Sequence, residues 1–360
     1  MQQEFTANPD TYAELDRFFA ENGVTVLMLV CGRSMERLRI CAYFTQMEAR
    51  TGIKVVRFSD FHPNPQYASA EAGAVCFSAQ GCDGIAAVGG GSAMDVAKCI
   101  RLAAEREKRI PFFAMPTTAG SGSEATRFAV MYRGTEKISV TDARCLPDAV
   151  LFDADVLQTL PDYQKKAAAM DALCHAVESG WSVHADAESL AYVREAIVLL
   201  MQHLSGYLAG DAEAAAQMLR AANLAGRAIN LTKTTAGHAM AYQLTVRYGL
   251  AHGHACALCV RELFPHLLQN LSRSADPAHL QTGLMQIAAA MGCDSPAQAA
   301  DVFAALVKRL DLHAPVLRTK EEYDALVRTV NPERLSNHPV PLDAETLHAL
   351  YSRICREETA

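Results

Sequence analysis

"AAVGGGSAMDVAK", residues 86–98, joins a short apolar run to a helical pattern through three consecutive glycines and a serine. An unbroken apolar run of this kind suits a strand buried on both faces, as in a parallel sheet. Glycine lets the backbone approach a ligand closely. The free N–H groups that open the following helix carry partial positive charge, which suits a pyrophosphate. Gly89, Gly90, Gly91 and Ser92 are therefore candidate phosphate contacts, the alternative being a plain strand-to-helix turn with Ser92 as helix cap. Asp95 joins the same candidate set, or else pairs with Lys98 on the helix surface.

Working outward, the same strand-and-helix rhythm fills the N-terminal part of the chain. "VTVLMLV" (24–30), "IKVVRF" (53–58), "GIAAVG" (84–89), "PFFAMP" (111–116) and "AVLFD" (149–153) read as strands. "SMERLRICAYFTQMEA" (34–49) and "ASAEAGAVCFSAQG" (68–81) read as amphipathic helices, and "FAVMY" with "KISVT" as a hairpin joined by Arg133 and Gly134. After "LPD" (160–162) the strand signal ends and the rest reads as successive Ala-, Leu- and Met-rich helices. The pattern predicts an α/β dinucleotide-binding domain with a Rossmann-like parallel sheet over 1–158, then an all-α domain over 159–360 for metal and substrate. The cleft between domains is the default ligand site.

A second polar loop, "MPTTAGSGSEAT" (115–126), follows the next strand, and Thr117, Thr118, Gly120, Ser121 and Ser123 offer short hydroxyls and open amides. Two such loops after adjacent strands share the carboxyl edge of a parallel sheet, where open α/β sheets bind nucleotides. After the first strand comes "CGRSMER", where Gly32 replaces the carboxylate that would repel a 2′-phosphate. Arg33 and Ser34 suit that extra phosphate, or Arg33 is simply a solvated helix-start residue, so NADPH and NADH both stay open with NADPH slightly favoured.

With 360 residues, half of them hydrophobic and a fifth charged, the chain has the composition of a packed globule. A formal charge of −7 and no basic stripe with aromatics argue against a nucleic-acid partner. No run approaches the ~20 apolar residues of a membrane helix, and the N-terminus has no export pattern, so the expected address is the cytoplasm. The eleven cysteines are scattered, which there implies reduced thiols. The close pair Cys256 and Cys259 is read as small-residue helix packing, a redox or metal role being the alternative.

In "AAAMDALCHAVESGW" (167–181), Asp171 and His175 are four residues apart on a helical stretch and so share a face. His238 and His252 lie on later helical segments, with Gly253 marking a turn. One carboxylate and three imidazoles suit Fe(II) or Zn(II), whereas a hard oxygen-loving ion would want more carboxylates.

Four blocks in order, "GGGSAMDVAK", "PTTAGSGSE", "MDALCHAVES" and "GHAMAY…AHGHA", resemble the iron-containing (group III) alcohol dehydrogenase family over nearly the whole length. The resemblance implies the dehydroquinate synthase-like fold of that family and a metal held by Asp171, His175, His238 and His252. It also implies NAD(P)-linked interconversion of aldehyde and primary alcohol, and a homodimer. Many members carry a histidine four residues after the third ligand, thought to assist proton transfer; this chain has Tyr242 there, which either relays the proton or only shapes the pocket. The finer pattern, "GSEATRFAVMY", "KTTAGHAMAYQLT" and "VNPERLSNHPVPL", is similar to the branch that reduces phosphonoacetaldehyde to 2-hydroxyethylphosphonate. A dianionic phosphonate needs cations, and Arg127, Lys137, Lys233, His254 and Arg334 are the candidates, each also readable as a surface or helix-end charge. His254 would face the substrate beside ligand His252 and count among the catalytic residues. The weighed alternatives are a general short-chain alcohol dehydrogenase, a dehydroquinate synthase-like NAD/zinc lyase, and a non-catalytic nucleotide-binding module.

Overall fold

The computed structural model describes residues 3–6, 13–105, 108–134 and 136–355. Its strands are β1 (Gln3–Thr6), β2 (Val26–Cys31), β3 (Lys54–Phe58), β4 (Gly84–Gly89), β5 (Phe112–Pro116), β6 (Phe128–Arg133), β7 (Glu136–Thr141) and β8 (Ala149–Phe152). The helices of the first part are α1 (Ala13–Glu21), α2 (Ile40–Thr45), α3 (Met47–Thr51), α4 (Tyr67–Ala79) and α5 (Gly91–Ala104). Those of the second are α6 (Asp162–Trp181), α7 (Ala187–Leu208), α8 (Ala212–Thr232), α9 (Ala236–Tyr248), α10 (His252–Gln269), α11 (Pro277–Ala290), α12 (Pro296–Arg309), α13 (Lys320–Arg328), α14 (Pro332–Leu335) and α15 (Ala344–Ile354).

The chain divides into two compact units, residues 1–160 with 210–223, and residues 161–209 with 224–360. The return at 210–223 is not signalled by the composition change near residue 160.

In the first unit six parallel strands form one sheet in the order β1-β8-β5-β4-β2-β3. The five expected strands are all present, and β1 is an addition at the edge, too short and too polar to read from periodicity. Strands β4 and β5 are buried residue after residue, which explains their continuous apolar runs. Strand order reverses between β2 and β4, and their pairing sets Cys31 opposite Val88. Gly32 and Gly89 are the residues that follow this pair, so they sit side by side on the carboxyl edge at the topological switch point.

β6 and β7 form the expected antiparallel hairpin, but Arg133 pairs with Glu136 inside it, and Gly134, at φ +61°, lies in the turn. The stretch 34–49 is not one helix. It breaks into a 3₁₀ turn (Arg33–Arg37), α2 and α3, with Leu38 extended at φ −95°, ψ 145°. Met35 and Ile40 are both buried, and five residues of unbroken helix would point them about 140° apart. The break lets both reach the core.

In the second unit α6 packs against α7, α10 and α11, and α10 against α9, α12 and α15. Trp181 at the end of α6 meets the edge of Phe264 on α10 at 5.4 Å between centroids. Among the described residues no helix is long and apolar enough to cross a membrane.

Candidate active site

The glycine junction opens α5 with Gly90 in extended conformation at its N-cap and no side-chain cap. Ser92 is therefore not the cap; it lies inside the first turn. The opening N–H groups lack a side-chain acceptor, the condition under which a helix start binds an anion. Thr117 N–H donates to the Gly89 carbonyl at 3.0 Å, drawing the loop after β5 against the junction. A Cβ on Gly90 would meet Thr118 Oγ1 at 3.3 Å, and one on Gly91 would meet Ser121 Cβ at 3.3 Å. The two loops touch where these residues have no side chain. Thr117, Thr118 and Ser121 are half-buried at this edge, whereas Gly120 is buried.

Asp95 and Ser123, expected as cofactor contacts, are occupied within the protein. Asp95 Oδ1 accepts from Ser123 Oγ at 2.9 Å, and Oδ2 accepts from the Val130 N–H at 3.0 Å. Lys98 is no surface residue: it is fully buried, and its ammonium donates to the carbonyls of Ser123, Thr126 and Phe128 at 2.6, 2.9 and 2.6 Å and to the Ser123 hydroxyl at 2.9 Å. Burial pulls the Lys98 pKa below its ordinary value, against the pull of Asp95. This clip fixes the shape of the 117–126 loop. At Gly32, Arg57 donates to the carbonyl at 3.3 Å and pairs with Glu36 at 2.9 Å, while Arg33 and Ser34 are exposed.

In the helical unit Asp171, His175 and Glu178 share one face of α6 at spacings of four and three. Gly253, read as a turn, is instead the second residue of α10, and its missing side chain explains how His252 comes so close. A Cβ there would run into the Ala167 carbonyl and the Asp171 backbone, so only glycine admits this approach of α10 to α6. Donor atoms of Asp171, His238, His252 and Cys256 all lie within 4.8 Å of one another. Asp171 Oδ1 stands 3.6 Å from His238 Nε2, and both atoms are buried without a hydrogen-bond partner. That separation is about the donor–donor edge of a tetrahedral site with ~2.1 Å bonds, and two orphaned polar atoms aimed at one point are what an ion would satisfy. The residues fit a divalent metal.

Sequence reasoning quoted Glu178 but gave it no role. Its Oε2 accepts from His238 Nδ1–H, and its Oε1 accepts from the Thr235 N–H, Thr235 hydroxyl and Gly237 N–H at 3.1, 2.6 and 2.8 Å. It thereby holds the start of α9 and turns His238 Nε2 toward Asp171, the arrangement that fixes a ligating imidazole's tautomer. Burial lowers the His238 pKa, but Glu178 and Asp171 outweigh it and carry the value up to about 9. Burial raises the Glu178 carboxyl, yet His238 and Thr235 bring it to about 2. Asp171, raised by burial, is held well below the carboxylate range by the surrounding histidines, His175 foremost. The signal for Glu178 was available in its spacing of seven from Asp171.

The family profile described as "Iron-containing alcohol dehydrogenase" matches residues 3–154, and "Fe-containing alcohol dehydrogenase family, C-terminal" matches residues 166–355. The chain belongs to the iron-containing alcohol dehydrogenase family. Relatives of this alcohol dehydrogenase include the phosphonoacetaldehyde reductase of Streptomyces viridochromogenes, 31% identical over 73% of this chain and 74% of that protein. Alcohol dehydrogenase 4 of Schizosaccharomyces pombe is 33% identical over 76% of this chain and 69% of that one. In fold, it superposes on the sulfoacetaldehyde reductase of Bifidobacterium kashiwanohense, solved in complex with NAD+, with TM-score 0.87 at 24% identity, covering 99% of this chain and 98% of that one.

The remaining expected residues of this alcohol dehydrogenase are less uniformly placed. His175 stacks on His238 with centroids 4.4 Å apart and planes at 17°, but it is not one of the four mutually close donors. His254 is turned away. Two residues along a helix is a rotation of about 200°, and its ring is buried, with Nδ1 bonded to the Tyr163 hydroxyl at 3.0 Å. Tyr163 also accepts from the Ala251 N–H, so this pair secures the start of α10. Tyr242 lies one turn after His238 on α9, half-buried, its phenol pushed above the ordinary value by burial. Lys233 is exposed, with a left-handed backbone (φ +61°). The Asn337 side chain donates to the Thr234 carbonyl at 3.2 Å, tying the segment beside Lys233 to the one just after α14, the short helix that carries the half-buried Arg334. Arg127 and Lys137 are half-buried at the hairpin of the first unit.

Proposed function

We propose that the enzyme reduces phosphonoacetaldehyde to 2-hydroxyethylphosphonate with NADPH or NADH, using a divalent metal held by Asp171, His175, His238 and His252. The observation that carries the reading is the pair of orphaned atoms, Asp171 Oδ1 and His238 Nε2, in a cluster of mutually close donors. When bound, the metal supplies Lewis-acid polarisation of the aldehyde oxygen, which favours hydride addition at the carbonyl carbon. Glu178 keeps His238 in the ligating tautomer. Gly89–Gly91 with Thr117, Thr118 and Ser121 take the pyrophosphate of the dinucleotide, and Gly32 with exposed Arg33 tolerates a 2′-phosphate. Tyr242, one turn after His238 on α9, is the residue proposed to hand the product oxygen its proton.

The phosphonate assignment is supported by the similarity to a phosphonoacetaldehyde reductase and by Lys233. A left-handed backbone favours glycine, and a lysine held in that conformation is a candidate for use of its ammonium. Lys233 and Arg334, on segments tied together by Asn337, are the cations proposed for the phosphonate, with Arg127 and Lys137 as further candidates. The same reading puts the enzyme in the cytoplasm as a homodimer; its eleven free thiols suit a reducing compartment. Steady-state kinetics on the metal-reconstituted protein, with both dinucleotides and an aldehyde panel, tests the assignment. Phosphonoacetaldehyde should exceed propanal in kcat/KM by at least ~10²-fold. Equal values would leave a general short-chain alcohol dehydrogenase.

A further inference from the structure

We propose that Cys256 is a direct ligand of the metal, and that its thiolate biases this chain toward a softer ion such as Zn(II) over Fe(II). The inference rests on the reading of the cluster as a metal site. Cys256 follows His252 by one helical turn on α10, so both side chains leave the same face. Its Sγ is one of the four mutually close donors and lies 3.7 Å from His252 Nε2. The side chain is fully buried, and the orphaned atoms of Asp171 and His238 converge on the same point. Cys259, three residues on and equally buried, is not among the close donors, so burial alone does not set the arrangement.

As the sulfur–metal bond forms, the thiol proton passes to solvent and the sulfur binds as thiolate. A carboxylate and a thiolate together then balance the dication. Thiolate is a soft donor, and geometry and donor type, more than raw affinity, decide which ion a site retains. The effect is a preference for Zn(II) within a family named for iron.

Cobalt(II) reconstitution of the whole metal-free chain separates this inference from the reading beneath it. The wild type should show visible d–d bands, which report a bound ion, together with a near-ultraviolet sulfur-to-cobalt charge-transfer band. Cys256→Ser and Cys256→Ala should keep the d–d bands and lose the charge transfer, while Cys259→Ser keeps both. The Zn(II):Fe(II) affinity ratio should fall at least ~10-fold in Cys256→Ser. Far-ultraviolet circular dichroism confirms that each variant is folded. Wild-type d–d bands without charge transfer, or charge transfer surviving in both Cys256 variants, would overturn the ligand role and leave the metal site standing. A folded wild type that takes up no cobalt would overturn the metal site itself.

Discussion

The two ends of the chemistry are built from different materials. The proposed dinucleotide end is backbone: glycines 89–91, an uncapped helix start and a neighbouring loop, all within about 35 residues of chain. The proposed metal end is side chains from three helices, Asp171 and His175 on α6, His238 on α9 and His252 on α10, with Glu178 bonded to one of them. A site made of amides tolerates changes of side chain as long as the backbone keeps its path. A site made of converging side chains fails when any one is removed.

Substitutions can break or sharpen that contrast. The largest effect is expected at Asp171→Ala, which deletes the only carboxylate among the four close donors: metal content should fall to background and kcat/KM by roughly 10³-fold or more, with dinucleotide affinity unchanged. Glu178→Gln comes next. The amide still accepts from the α9 N–H groups but no longer carries the charge that holds His238 Nδ1–H, and titration with Zn(II) should give an affinity lower by about 10–100-fold. The same methyl group then compares the two ends directly. Gly253→Ala forces α10 away from the α6 backbone, for an expected loss of about 1–3 kcal/mol in denaturant melts together with weaker metal binding. Gly91→Ala meets only the Ser121 side chain, which can give way; the melt should stay within about 0.5 kcal/mol and only dinucleotide affinity should drop, by about tenfold. Equal loss of stability from the two alanines would erase the distinction.

Legibility followed the same division. The glycine junction, the strands around it and the second polar loop could be read because each signal is local: an apolar run, a turn, a helix start. The i, i+4 spacing of Asp171 and His175 was also local, but joining them to His238 and His252 needed the family resemblance, since nothing in periodicity brings residues 171 and 252 together. The alternative of a surface pair between Lys98 and Asp95 fails because the partners of Lys98, the carbonyls of Thr126 and Phe128, are 28 and 30 residues away and invisible to a helix-face argument. Asp95 and Ser123 are bonded to each other beside it, an arrangement composition does not reveal, since loop hydroxyls that clip a fold and loop hydroxyls that line a ligand have the same composition. His254 looked like a neighbour of His252 in sequence, yet helical rotation sends it to Tyr163. Cys256 was set aside as packing because only the approach of α10 to α6 brings its sulfur beside Asp171.

The central claim is that one metal ion sits where these helices converge. Anomalous diffraction at the absorption edge of the reconstituted metal, on crystals of the full chain, tests it most directly. The account predicts a single peak within bonding distance, about 2.0–2.3 Å, of Asp171, His238 and His252. A peak elsewhere, or none with the metal present in stoichiometric supply, would contradict it.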